Sequence, residues 1–322
     1  MDPRVRHYAF DKPRLRQPLR QLRSVQQIKH NIDAFAPDVV HFQQGHLWFN
    51  TALRSLMRYP LVVTIHDPRY HAGDKVSQKT PQWVMDYGFR CADHAIVHGE
   101  ALALQVHQLF GIPNDNIHVI PHVAMGSVGD VVIDEEPGNI LFFGRIWDYK
   151  GLEYLIRAEP LIAKEVSEFK IVIGGEGEDF GKYRNMIGDS PRFEIHNRWI
   201  DDAERAEFFQ RASIVVLPYK EATQSGVVPV AYTYSRPVVA TRVGALAECV
   251  FHNETGLLVE PEDPQDLANA IIKLLKDAQL RKQMGAAGHR RMQNESSPAV
   301  VARQTVQAYQ AAIEGRLQMA TT

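Results

Sequence analysis

Short apolar runs alternate with amphipathic stretches along most of this chain. Asp38-Val-Val-His-Phe42, Leu61-Val-Val-Thr-Ile65, His94-Ala-Ile-Val97 and Ile117-His-Val-Ile120 read as strands. Helical stretches from Pro81 to Cys91 and from Ala101 to Phe110 separate the later ones, and Gly111-Ile-Pro113 stops the second helix. Residues 125–139, MGSVGDVVIDEEPGN, mix glycine, proline and acids and read as a linker. The alternation then restarts. Strands are predicted at Ile140–Phe143, Lys170–Ile173, Phe193–His196, Ile214–Leu217 and Pro237–Ala240. Helices are predicted at Leu152–Ala163, Asp179–Ile187, Asp202–Gln210, Val227–Tyr234 and Asp263–Asp277, with two more closing the chain. The helix from Leu152 repeats apolar residues at 152, 155, 156 and 162, one face of a 3.6-residue period, and Pro160 is expected to kink it. Strands that are apolar throughout need cover on both faces, the habit of parallel sheets. The pattern predicts an α/β protein of two domains with a cleft between them.

Composition narrows the picture modestly. A net charge of −2 provides no global field for nucleic acid. Cys91 and Cys249 fit no metal or redox spacing and are expected as reduced, buried thiols. No stretch has the length and apolarity of a membrane span, so a cytoplasmic location is expected. Residues 1–30 differ from the rest: eight Lys and Arg face only Asp2 and Asp11. They read as a solvated helix with Leu15, Leu19 and Leu22 as a thin apolar stripe. The alternative is peripheral contact with an anionic membrane surface.

Ligands of open parallel sheets bind beyond the carboxyl ends of the strands, which directs attention to the loops there. In Phe143-Gly-Arg-Ile-Trp-Asp-Tyr-Lys-Gly151 a strand ends at Gly144, and Arg145 and Lys150 flank a loop entering a helix. Two cations beside a helix N-terminus suit a phosphate or diphosphate. The competing reading pairs them with Asp148 and Glu153 at the surface. Ile173-Gly-Gly-Glu-Gly-Glu178 allows close backbone approach to a ligand or is a bare turn. His66 closes the LVVTI run, and His71, His98 and His122 are weaker candidates. Glu221, Thr223, Gln224, Ser225 and Gly226 follow the strand that ends at Leu217 and Pro218. Asp201-Asp202 fits a helix cap better than a metal site. No zinc spacing, serine nucleophile elbow or Walker loop is present.

These pieces in this order resemble the family 4 (group 1) retaining glycosyltransferases of GT-B fold. The blocks are PDVVHF, LVVTIHD, CADHAIVHGEAL, NIHVIPH, FFGRIWDYKGLEYLIRA, IGGEGED, RWIDDAERAEFFQRASIVVLP, PVVATRVGALAE and NETGLLVEPEDPQDLANAI. The resemblance implies two Rossmann-like domains with parallel sheets facing a cleft: residues 1–133 on the acceptor side, and 134–296 holding the nucleotide-sugar. The helix in 297–322 would pack back towards the first domain. It also implies that Arg145 and Lys150 hold the donor diphosphate, with Gly144 in the same loop and Gly175 near the nucleoside. His66 would approach the donor from the opposite domain. Glu221 would contact the sugar, and Gln224, Ser225, Gly226 and Val227 would line the same pocket. No divalent metal or other cofactor is implied, and the donor would be a UDP- or GDP-sugar.

The chain departs from the family pattern twice. Where relatives carry a second glutamate eight positions after the first, this chain has Pro229 or Val230, and Gln224-Ser-Gly226 is expected to compensate. Strands that relatives place before PDVVHF have no counterpart, so the first sheet is expected to expose an edge that a partner chain could complete. The expected activity is sugar transfer to a saccharide or lipid-linked acceptor in polysaccharide or glycolipid assembly. The alternative is a non-catalytic or split-enzyme subunit that binds nucleotide-sugar and requires a partner.

Overall fold

The computed structural model describes residues 4–10, 16–43, 47–70, 80–126, 133–177 and 180–321. The first half runs α1 (Pro18–Phe35), β1 (Val40–Gln43), α2 (Leu47–Leu56), β2 (Leu61–Thr64), α3 (Gln82–Arg90), β3 (His94–Val97), α4 (Glu100–Phe110) and β4 (Ile117–Val119). The second half continues with β5 (Asn139–Phe143), α5 (Leu152–Ala163), β6 (Lys170–Gly174), α6 (Gly181–Ile187), β7 (Phe193–His196), α7 (Asp202–Arg211) and β8 (Ile214–Leu217). It closes with α8 (Val227–Thr233), β9 (Val238–Thr241), α9 (Leu246–Cys249), β10 (Gly256–Val259), α10 (Pro264–Lys276), α11 (Ala278–Glu295) and α12 (Pro298–Thr321).

Among the described residues all strand pairs are parallel, in two sheets ordered β1-β2-β3-β4 and β10-β9-β8-β5-β6-β7. Residue alternation along each strand builds the layers. Ile140, Phe142, Ile171, Ile173, Ile214 and Val216 face one side of the second sheet and pack with Leu155 and Ile271. Leu141, Val172, Val215 and Leu217 face the other side, with Phe209, Val230 and Ala231. The apolar face predicted for α5 is the buried one: Leu152, Leu155, Ile156 and Ile162 are all inside, and the helix runs through Pro160 to Ala163. In the first sheet, Leu61, Val63 and Ala95 pack against Leu53, Leu56, Phe89 and Phe110. Val62 and Ile96 on its other face are covered by Ala308 and Ala312 of α12, so the last helix completes the core of the first domain.

Several elements differ from the sequence reading. The apolar stripe of α1 is not Leu19 and Leu22, which are exposed, while Leu15 lies outside the described residues. Val25 and Ile32, seven residues apart, form the packed side instead. Helix α2 and strand β10 escaped the pattern. The run that forms β10 opens on Gly256, a residue unfavourable in strands. A Cβ there would lie 2.0 Å from the Val238 carbonyl oxygen, so the close strand approach explains the glycine. Asp201 does cap α7, its carboxylate accepting from the Glu204 amide at 2.9 Å. Both cysteines are free and partly buried. Among the described residues no helix is long and apolar enough to cross a membrane, and β1 is a terminal strand of its sheet.

Candidate active site at the cleft between the sheets

The loop after β5 is held by backbone packing that only glycine permits. Gly144 (φ 121°) and Gly175 (φ 143°) meet so closely that a Cβ on Gly175 would lie 1.9 Å from the Gly144 carbonyl oxygen. Gly151 (φ 64°) sits in the same way against the Pro218 carbonyl, also at 1.9 Å. The loops after β5, β6 and β8 are therefore stacked backbone to backbone. Arg145 and Lys150 project from a floor that leaves no room for side chains.

Lys150 is half-buried, and its ammonium lies 3.7 Å from the centre of the fully buried Tyr219 ring and 5.1 Å from that of Tyr149. Burial, reinforced by the nearby Arg145 cation, pushes its pKa down to about 8, against the opposing pull of Tyr149 and Asp67. The reading that paired these cations with neighbouring acids fails for Lys150. Asp148 binds Lys182, at 2.8 Å, and Lys220, while Glu153 binds Arg157 at 3.1 Å and Lys220 at 3.6 Å. Lys150 thus combines a desolvated charge with an aromatic seat, an arrangement that gains from an incoming anion.

The first domain contributes the ends of β2, β3 and β4. His66 and Asp67 follow β2, His98 follows β3 and His122 follows β4. The Thr223 hydroxyl donates to the Asp67 carboxylate, and the His122 Nε2 donates to the Gln224 side-chain oxygen, so the loop after β8 meets the first domain directly. Glu248, after β9, crosses in the same direction: its carboxylate accepts from the amides of Glu100 (2.7 Å) and Ala101 (2.9 Å) and caps α4. A cavity of about 600 Å³ lies between the domains, lined by His98, His122, Gln224, Ser225 and Glu248.

The structure therefore gathers most of the residues singled out from sequence. Arg145 and Lys150 share one loop with Gly144, and Gly175 lies beneath it. Ser225 is buried, with its hydroxyl 3.2 Å from the Val227 amide. Gly226 starts α8, where a Cβ would meet Met125 at 2.9 Å. Glu221 is exposed and does not line the cavity, whereas Gln224 does. His71 lies outside the described residues. Tyr219, Asp67 and Glu248 were not singled out. For Asp67 the signal was available, as it directly follows His66 at a strand end.

This architecture, two parallel sheets with loops meeting at a shared cleft, defines a GT-B protein. The description "Glycosyltransferase Family 4" matches residues 2–123, and "Glycosyl transferases group 1" matches residues 137–277. The chain belongs to the family 4, group 1 glycosyltransferases. It is 27% identical to a D-inositol 3-phosphate glycosyltransferase of Pseudarthrobacter chlorophenolicus, over 90% of this chain and 74% of the relative. The sucrose-phosphate synthase of Thermosynechococcus elongatus shares the fold with a TM-score of 0.73 and 22% identity, over 95% of this chain and 81% of the other. The Anabaena protein HepE in complex with UDP-glucose does so with a TM-score of 0.70 and 18% identity, over 92% and 84%.

Proposed function

We propose that the protein transfers a sugar from a nucleotide-sugar donor to a saccharide or lipid-linked acceptor, with retention of anomeric configuration and no metal in turnover. The observation that carries this reading is Lys150, whose ammonium is packed on Tyr219 beside Arg145, above the floor of Gly144 and Gly175. The UDP-glucose held by HepE supports a UDP-sugar as donor. Arg145 and Lys150 hold the diphosphate and neutralise it as the glycosidic bond breaks. The departing phosphate oxygen takes the acceptor's proton, and the acceptor oxygen bonds to the anomeric carbon on the face the phosphate leaves. His66 reaches the donor from the first domain. Gly175 borders the nucleoside, and the loop Glu221–Val227 contacts the sugar and ribose, with Gln224 and Ser225 serving where relatives use a second carboxylate.

Transfer assays with UDP-, GDP- and ADP-sugars, read by NMR of the anomeric proton, test this. A product of inverted configuration sinks the retaining mechanism, and full activity of Lys150→Ala sinks the assignment of the diphosphate site. A second reading is donor binding without turnover until a partner chain pairs with the first sheet. The terminal position of β1 favours it, and turnover by the isolated chain excludes it.

A further inference from the structure

Three imidazoles meet where the domains touch, and their hydrogen bonds share one pattern. His66 Nε2 donates to the Gln43 side-chain oxygen at 3.0 Å. His98 Nδ1 donates to the Ile120 carbonyl at 2.8 Å. His122 Nε2 donates to the Gln224 side-chain oxygen. Each acceptor is a carbonyl oxygen, which can only accept, so each ring keeps its proton on the bonded nitrogen. The remaining lone pairs are therefore on His66 Nδ1, His98 Nε2 and His122 Nδ1. His98 Nε2 is buried and has no hydrogen-bond partner among the described residues, an unusual state for a polar atom. One nitrogen from each ring lies within 4.8 Å of the other two.

We infer that His66, His98 and His122 form a binding site for a zinc ion, with Gln43, the Ile120 carbonyl and Gln224 fixing the ring orientations from behind. Metal-binding histidines characteristically donate their second N–H to such an acceptor. Three imidazoles and one open position suit Zn²⁺, and the absence of thiolate ligands disfavours the softer Cu(I). A Zn–N bond of about 2.0–2.1 Å requires the nitrogens to draw in to about 3.4 Å apart, and the rings, whose planes lie 12° to 34° from parallel, must unstack so that their lone pairs converge on the ion. Asp67, close enough to act on His122, adds negative charge beside the site. Because Gln224 comes from the second domain, the metal would also pin the two domains together. On the glycosyl-transfer reading, which this consequence rests on, zinc would withhold His66 from the donor and act as an inhibitor. The site itself does not depend on that reading.

The test is titration of the full chain with Zn²⁺ by calorimetry against a competing chelator, repeated with Co²⁺ to read its visible ligand-field bands. The expected result is one ion per chain, with tetrahedral Co²⁺ bands. Binding should be lost in His98→Gln and weakened about 10- to 100-fold in Gln43→Leu, which removes the acceptor behind His66 together with the Gln43 bond to Thr64 but no metal ligand. Absence of stoichiometric binding by the unaltered chain overturns the site, as does unchanged affinity in a folded His98→Gln. Should His98→Gln fail to fold, Gln43→Leu decides, because Gln43 is exposed: undiminished affinity in that variant rejects the proposal. No sugar transfer is measured, so loss of the zinc site and failure of the enzymatic reading are distinguishable.

Discussion

The Lys150 ammonium, seated on Tyr219 and near Arg145, is charged at neutral pH but loses its proton as the pH passes about 8. The charged form is the one that attracts a diphosphate. The kcat/KM for donor should therefore fall above about pH 8, by roughly tenfold per pH unit once the free lysine is neutral. Lys150→Arg, which stays charged, should remove that limb, and Lys150→Ala should lower kcat by about 10²–10³-fold across the range. A pH–rate profile of the three proteins checks this. Gly175 offers a steric counterpart. At φ 143°, with the Gly144 carbonyl oxygen 1.9 Å from any added Cβ, Gly175→Ala must displace the loop that carries Arg145. The backbone conformation alone costs an alanine about 1–3 kcal/mol. A lower melting temperature with loss of UDP binding is expected. The glycines and cations of this loop were legible because they cluster at one strand end. The meeting of His66, His98 and His122 was not, since 56 positions separate the first from the last. The register supplies what the linear sequence hides: Thr64 pairs with Ile96, so His66 and His98 occupy matching positions past adjacent parallel strands.

At the scale of elements, α4 begins at Gly99 without a cap from its own segment and takes one from Glu248 of the other domain. Two amide bonds to a carboxylate at a helix N-terminus contribute about 0.5–2 kcal/mol, all of it to the closed arrangement of domains. Glu248→Ala should shift the free protein towards open conformations, seen as a larger radius of gyration in small-angle scattering, and donor should reverse part of the change. An unaltered scattering profile would reject the clasp. Strands rich in β-branched residues, such as Leu61–Thr64 and Ile214–Leu217, announce themselves because burial on both faces demands an uninterrupted apolar run. Strand β10 does not, as its glycine answers to the Val238 backbone rather than to strand propensity. The stripe of α1 is hard to read because Leu15, Leu19 and Leu22 repeat at helical spacing, whereas the packed Val25 and Ile32 lie seven residues apart among polar neighbours.

Across the molecule, histidines are set to make folding sensitive to acid. His94 Nδ1 and His118 Nε2 share a hydrogen bond of 2.9 Å, and burial lowers both from the usual histidine value of 6.5. Asp93, held 3.3 Å from Arg316, opposes the shift at His94, while His94 adds to it at His118. A lowered folded value means that the unfolded chain binds more protons once the pH drops below about 6.5. Stability is then fully present above 6.5 and declines as the pH falls from there through the folded values. Melting temperatures should fall as the pH drops below about 6.5, and His118→Gln should flatten part of that decline. An unchanged slope in His118→Gln would remove the pair from this account.

The covering of Val62 and Ile96 by Ala308 and Ala312 has a consequence for biogenesis. On the ribosome, β2 emerges about 240 residues before the helix that buries its second face, an interval on the order of 10–50 s at usual elongation rates. Through that time the nascent first domain presents a bare apolar sheet face while the second domain, whose strands all lie between residues 139 and 259, can already fold. The two halves therefore mature in the reverse of the order in which they are translated, and the first is the natural client for a holding chaperone.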